Sequence, residues 1–170
     1  MKKKLLFGLL LALLLVPWPV AYAYEGEPGA TYPVTVEPAG ADLTPHLTVY
    51  RNAIGSIEGG DLFYIDATDA AMDLSFILFL TNLDALAASY RNLNLEVGLY
   101  AETAPGEWTE VTDYGPASWV LFLSAQTGSV EFTVSGYHRY KVAVNHGCYF
   151  AYPGPSETPI AIPEFYLSPT

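Results

Sequence analysis

Four aspartates, Asp61, Asp66, Asp69 and Asp73, form the densest acidic cluster in the chain. Carboxylate oxygens gathered on a loop are the hard ligands that calcium takes. The EF-hand order Asp-x-Asp-x-Asp-Gly is missing, however, and the interspersed Ala67, Ala70 and Ala71 offer only backbone carbonyls. A solvated loop flanking a strand is therefore the leading expectation and calcium the lesser one. The histidines are His46, His138 and His146, and only His146 has a thiol nearby, Cys148, on the same side of an extended chain. Zinc needs three or four ligands at characteristic spacings, and this pair falls short. Nucleophilic catalysis has no carrier either: there is no Gly-x-Ser-x-Gly elbow, and no basic residue adjoins Cys148 to lower its pKa. The 18 acidic residues could supply many carboxylate pairs for glycoside hydrolysis, and so abundant a signal selects none of them. The expectation is a protein that is not an enzyme, with no catalytic residue and no cofactor beyond the calcium candidates.

Aromatic residues are the other chemical resource. Beyond residue 23 the chain keeps 12 of its 13 tyrosines, together with Trp108 and Trp119. Tyr100 alternates onto the same strand face as Asn94, Glu96 and Glu102, which is where a residue that stacks on a sugar or contacts a protein would sit. Tyrosine also favours strands for packing reasons alone. Tyr100 and Trp108 are the aromatic interaction candidates.

The elements that must position these groups read mostly as strands. Leu74 to Leu80 is apolar on both alternating faces apart from Ser75, as in a central strand covered on both sides. Strict alternation marks Leu93 to Glu102, Val130 to Ser135 and Arg139 to Asn145. Shorter strands are expected at Leu47 to Tyr50, Leu62 to Ile65, Trp108 to Thr112 and Trp119 to Leu123. Hairpin connections are expected at Ala125 to Gly128 and Ser135 to His138. Only Asn82 to Asn92 changes period, with Leu83, Leu86, Ala87 and Tyr90 on one helical face, Asn82 placed as N-cap and Arg91 in the last turn. Closely spaced strands with one short amphipathic helix predict an all-β antiparallel sandwich or jelly roll.

The N-terminus carries an address. Three lysines precede the apolar run Leu5 to Val16, and Ala21-Tyr22-Ala23 has the small-x-small form of a signal-peptidase site. The run is too short to span a bilayer, which takes roughly 20 residues, so cleavage after Ala23 and secretion are expected, with no membrane attachment afterwards. Cleavage leaves 147 of the 170 residues, enough for one domain. It removes three of seven basic residues and none of the acids, taking the formal charge from −11 to −14. A chain so acidic repels phosphate backbones, and nucleic acid is not an expected partner. The lone Cys148 forbids an internal disulfide and is expected to be a buried small hydrophobe.

The chain accordingly divides into a signal peptide at 1–23, an extended N-terminal arm at 24–41, a sandwich at 42–152 and a proline-rich edge strand or tail at 153–170. Within the arm, Val34 and Val36 share a face and give it strand character. An arm able to join a neighbour's sheet would build filaments. In the order of its elements, carried by Met1 to Ala23, the Val34/Val36 arm and the helix start Asn82-Leu83-Asp84-Ala85-Leu86, the chain resembles secreted biofilm-fibre proteins of the TasA/camelysin type. That resemblance implies a jelly roll assembling through a donated N-terminal strand, and it transfers no residue role. The expected function is a secreted structural or surface-interaction protein whose partners are itself, other extracellular proteins or glycans. The alternative is a carbohydrate-binding module or small adhesin using exposed aromatics.

Overall fold

The computed structural model describes residues 20–25, 31–45, 54–112, 118–122, 128–153 and 160–170. Among the described residues, ten strands and one helix follow in order: β1 (Val20–Glu25), β2 (Thr31–Pro38), β3 (Ile54–Asp66), β4 (Leu74–Leu80), α1 (Leu83–Ser89), β5 (Tyr90–Ala104), β6 (Glu107–Glu110), β7 (Ser118–Phe122), β8 (Ser129–Val134), β9 (Arg139–Ala151) and β10 (Phe165–Pro169). They make two antiparallel sheets. The larger has the order β1-β2-β3-β9-β5-β6, with β7 also on β5, and the smaller is β10-β4-β8. Across the described residues the fold is an all-β sandwich with one short helix.

Alternation explains the layers. Leu93, Leu95, Val97 and Leu99 of β5 and Val142 and Val144 of β9 point inward and are all but fully buried. They meet Phe76 and Leu78 of β4 and Phe132 and Val134 of β8 in one core. Phe76 and Phe132, cross-strand partners in the small sheet, stack with centroids 6.0 Å apart. At the other end of the long strands α1 closes the core with Leu86, its only buried residue.

Several expectations are corrected. β4 is central, but only one of its faces is covered: Ile77 is half-buried and Phe79 is exposed on the other. Helix α1 ends at Ser89, so Arg91 belongs to β5, with its guanidinium 5.0 Å over the Phe150 ring. Asn82 makes no side-chain cap; its amide instead donates to the Ile162 carbonyl at 2.7 Å and accepts from the Glu164 amide at 3.2 Å. Cys148 is exposed, because its neighbours Gly147 and Tyr149 are the inward residues of β9. The strand expected at Leu47 to Tyr50 and most of the Ala125 to Gly128 connection lie outside the described residues.

The Ser135 to His138 connection turns at Gly136 and Tyr137, the latter at φ 66°. The proline-rich terminus yields the edge strand β10, paired with β4. Upstream of it, the Tyr90 hydroxyl donates to the Ala161 carbonyl at 2.7 Å. Val34 and Val36, expected in an extended arm, are buried at 5% and 4% exposure in a β2 that pairs with β1 and, at Thr35 to Pro38, with β3 of the same chain. The expected cleavage point after Ala23 falls inside β1.

Of the four register irregularities in the large sheet, two lie in the middle of its outer face. Leu62 is the extra residue of β3 opposite β9, and Asn145 is the extra residue of β9 opposite β5. A bulge turns one strand's side chains relative to its neighbour's and bends the sheet.

Candidate functional site

Register brings together residues that are far apart in sequence. Tyr64 of β3, Lys141 of β9, Tyr100 of β5 and Glu110 of β6 are successive cross-strand partners in one row across the outer face. The next row, Asp61, Ala143 and Gly98, carries little side chain at its centre. Beyond it the bulge sets out Asn145. Small residues between large ones leave a hollow, here an open depression of about 620 Å³ bordered by Glu58, Asp61, Tyr100, Trp108, Lys141 and Asn145.

The groups around it hold one another. The Lys141 ammonium lies 2.9 Å from Asp61 Oδ1, and the Tyr64 hydroxyl donates to Asp61 Oδ2 at 2.8 Å. The same ammonium sits 5.3 Å from the Trp108 ring centroid and 5.6 Å from that of Tyr100, so one cation bridges two aromatic rings and a carboxylate. Trp108 also meets Tyr64, centroids 5.9 Å apart. Tyr100 folds back over Gly98, where a Cβ would come within 2.8 Å of its ring. There its hydroxyl donates to Asn145 Oδ1 at 2.6 Å, and Asn145 Nδ2 donates to Glu96 Oε1 at 3.1 Å. A side chain at 98 would displace the ring.

The electrostatics follow from this packing. The Tyr64 hydroxyl is raised above the usual phenol range, chiefly because its proton is held by Asp61, with burial and the same negative charge adding to the effect. Tyr100 is raised mainly by burial and then by the negative charges of Glu110, Glu96 and Asp61, against the opposing hydrogen bond to Asn145. Both rings are therefore neutral hydrogen-bonding groups at ordinary pH.

The interaction candidates Tyr100 and Trp108 converge on this one depression, both half-buried. Val34 and Val36 are in the core instead. The calcium candidates are dispersed. Asp61 is engaged by Lys141 and Tyr64, while Asp66 accepts the Thr68 hydroxyl at 2.6 Å and lies 3.6 Å from Arg139. Asp69 and Asp73 are exposed in the segment between β3 and β4. Among the described residues no group of three or more His, Cys, Asp or Glu side chains is placed to hold a metal ion. His138 is exposed beside Tyr140, His146 lies 3.6 Å from Glu96, and His46 is outside the described residues.

Tyr64, Lys141 and Asn145 were not legible as site residues in the sequence, and Asp61 was legible only as a calcium candidate. The alternation of Arg139 to Asn145 does set Lys141 and Asn145 outward, but only strand pairing puts Tyr100 and Asp61 beside them. No family model matches the chain, and no curated protein matches it. Among the described residues no helix is long and apolar enough to cross a membrane.

Proposed function

We propose that this chain is a secreted, non-enzymatic surface-interaction protein whose processed form associates with itself by strand pairing at the edges of its large sheet. The observation that carries this reading is the position of β1. It is the outermost strand, and it spans the expected cleavage point. Cleavage after Ala23 removes Val20, Ala21, Tyr22 and Ala23, the partners of Val36, Thr35, Val34 and Pro33. The outer edge of β2 then carries unpaired backbone groups, which a strand from another copy can satisfy.

The opposite edge supports the same reading. β7 pairs with β5, and its sequence, Ser-Trp-Val-Leu-Phe, holds no charge, proline or glycine, the residues that usually guard an edge. β2 and β7 are different surfaces, so contact between them is head-to-tail and builds a filament, or a ring where the rotation closes. Thr35 to Pro38 pair with β3 of the same chain, so this part of the arm acts as acceptor edge in this scheme.

The test compares a chain beginning at Tyr24 with one beginning at Val20, by light scattering after size exclusion and by negative-stain microscopy. The shorter chain is expected to form oligomers or filaments that Val120→Lys, which charges β7, suppresses. A shorter chain that stays strictly monomeric would overturn the proposal.

A further inference from the structure

We infer that the depression between Tyr100 and Trp108 is a binding site for a neutral saccharide. It lies on the outer face of the sheet and does not depend on edge pairing. Three observations converge on this ligand class. The hollow is open and shallow, floored by the small residues Gly59, Gly60 and Ala143, which suits an extended ligand lying on a sheet better than a small molecule enclosed in it. Its walls are the half-buried rings of Tyr100 and Trp108, apolar surfaces able to cover the C–H faces of a sugar ring. Its rim is polar and preorganised: the Asp61 carboxylate is fixed by Lys141 and Tyr64, and the Asn145 amide is fixed by Tyr100 and Glu96. Fixed acceptors and donors can exchange hydrogen bonds with hydroxyl groups at little entropic cost.

Charge chooses among saccharides. The single ammonium of Lys141 is matched by Asp61, and Glu58 and Glu96 add further negative charge at the border. The whole chain carries −11. A sulfated or uronic-acid polymer would be repelled, and a neutral one would not.

The experiment screens the purified protein against an array of neutral glucans, mannans, galactans and chitin oligomers, with oligogalacturonate as the anionic counterpart, and titrates the best neutral binder calorimetrically. Binding is expected for a neutral glycan and not for oligogalacturonate. Trp108→Ala should weaken it about tenfold or more, and Trp108→Phe, which keeps a ring, by about threefold or less. Asn145→Ala, made on the rim, should weaken it several-fold without changing the circular dichroism spectrum. Silence across the neutral glycans, preference for oligogalacturonate, or equal binding by Trp108→Ala and the parent would each overturn the inference.

Discussion

Asp61 and Lys141 occupy neighbouring strands with ammonium and carboxylate 2.9 Å apart, and the second oxygen of Asp61 accepts the Tyr64 hydroxyl. The carboxylate thus organises a cation and a phenol at once, and both lie against Trp108. Ionising Tyr64 would set a second negative charge beside Asp61.

Raised phenols predict a loss of stability at alkaline pH. Tyr64 is raised by its bond to Asp61, Tyr100 chiefly by burial and Tyr149 by burial alone. In the unfolded chain these phenols ionise near 10. Above that pH the native state binds more protons than the unfolded one, so stability is fully present below about pH 10 and falls as pH rises toward the raised folded values. Urea melts between neutral and strongly alkaline pH should show this decline. Asp61→Asn should move one phenol of the ultraviolet titration back toward the ordinary value; an unchanged titration would remove Asp61 as the cause.

Asn82 clamps two segments that are 80 residues apart, bonding the Ile162 carbonyl and the Glu164 amide. Asn82→Ala is expected to cost about 1–2 kcal/mol. Hydrogen exchange at the Glu164 amide should accelerate more than exchange in β5. Uniform acceleration would mean global destabilisation instead of a released clamp.

Leu86 is fully buried where α1 meets the long strands. Leu86→Ala should cost about 2–5 kcal/mol, the range for a core leucine. Ala87→Ser, one position along the exposed side, should fall within about 0.5 kcal/mol. Denaturation midpoints of the two variants check the contrast.

Tyr137 holds φ 66° in the turn before β9, with its ring 68% exposed and its amide donating to the Ala67 carbonyl at 2.8 Å. A left-handed backbone strains a residue with a Cβ, and Tyr137→Gly relieves this while keeping the amide bond. After glycine's larger entropy loss, a gain of about 0.5 kcal/mol is expected. A loss of stability on thermal melting would show that the exposed ring contributes more than the strain costs.

Cys148 is exposed on the outer face of β9, with the Asn94 amide nitrogen 3.7 Å from its sulfur. A thiol reagent should titrate one equivalent from the native protein without denaturant. Cys148→Ser should shift stability by less than about 0.5 kcal/mol. Labelling that requires unfolding would contradict the exposure.

The sequence by itself determined the class of fold, because side-chain direction in a strand repeats every two residues and that period is written locally in Leu93 to Glu102, Val130 to Ser135 and Arg139 to Asn145. It determined that Lys141 and Tyr100 face outward, and it placed α1 to within a few residues. Local pattern says nothing about which strand lies beside which. Only the tertiary structure paired β9 with both β3 and β5, and so put Lys141 between Tyr64 and Tyr100 and turned Asp61 from a calcium candidate into the partner of a lysine. Cys148 shows the same limit: its strand was legible, but its face was set by the bulge at Asn145, one extra residue that puts the alternation of His146 to Ala151 out of step with that of Arg139 to Val144. Val34 and Val36 carry the alternation of a strand wherever they pair, and it took the whole sandwich to set Val36 opposite Ile65 of β3 and both side chains in the core. Pairing and register depend on contacts between distant residues, and those contacts exist only once the chain has folded.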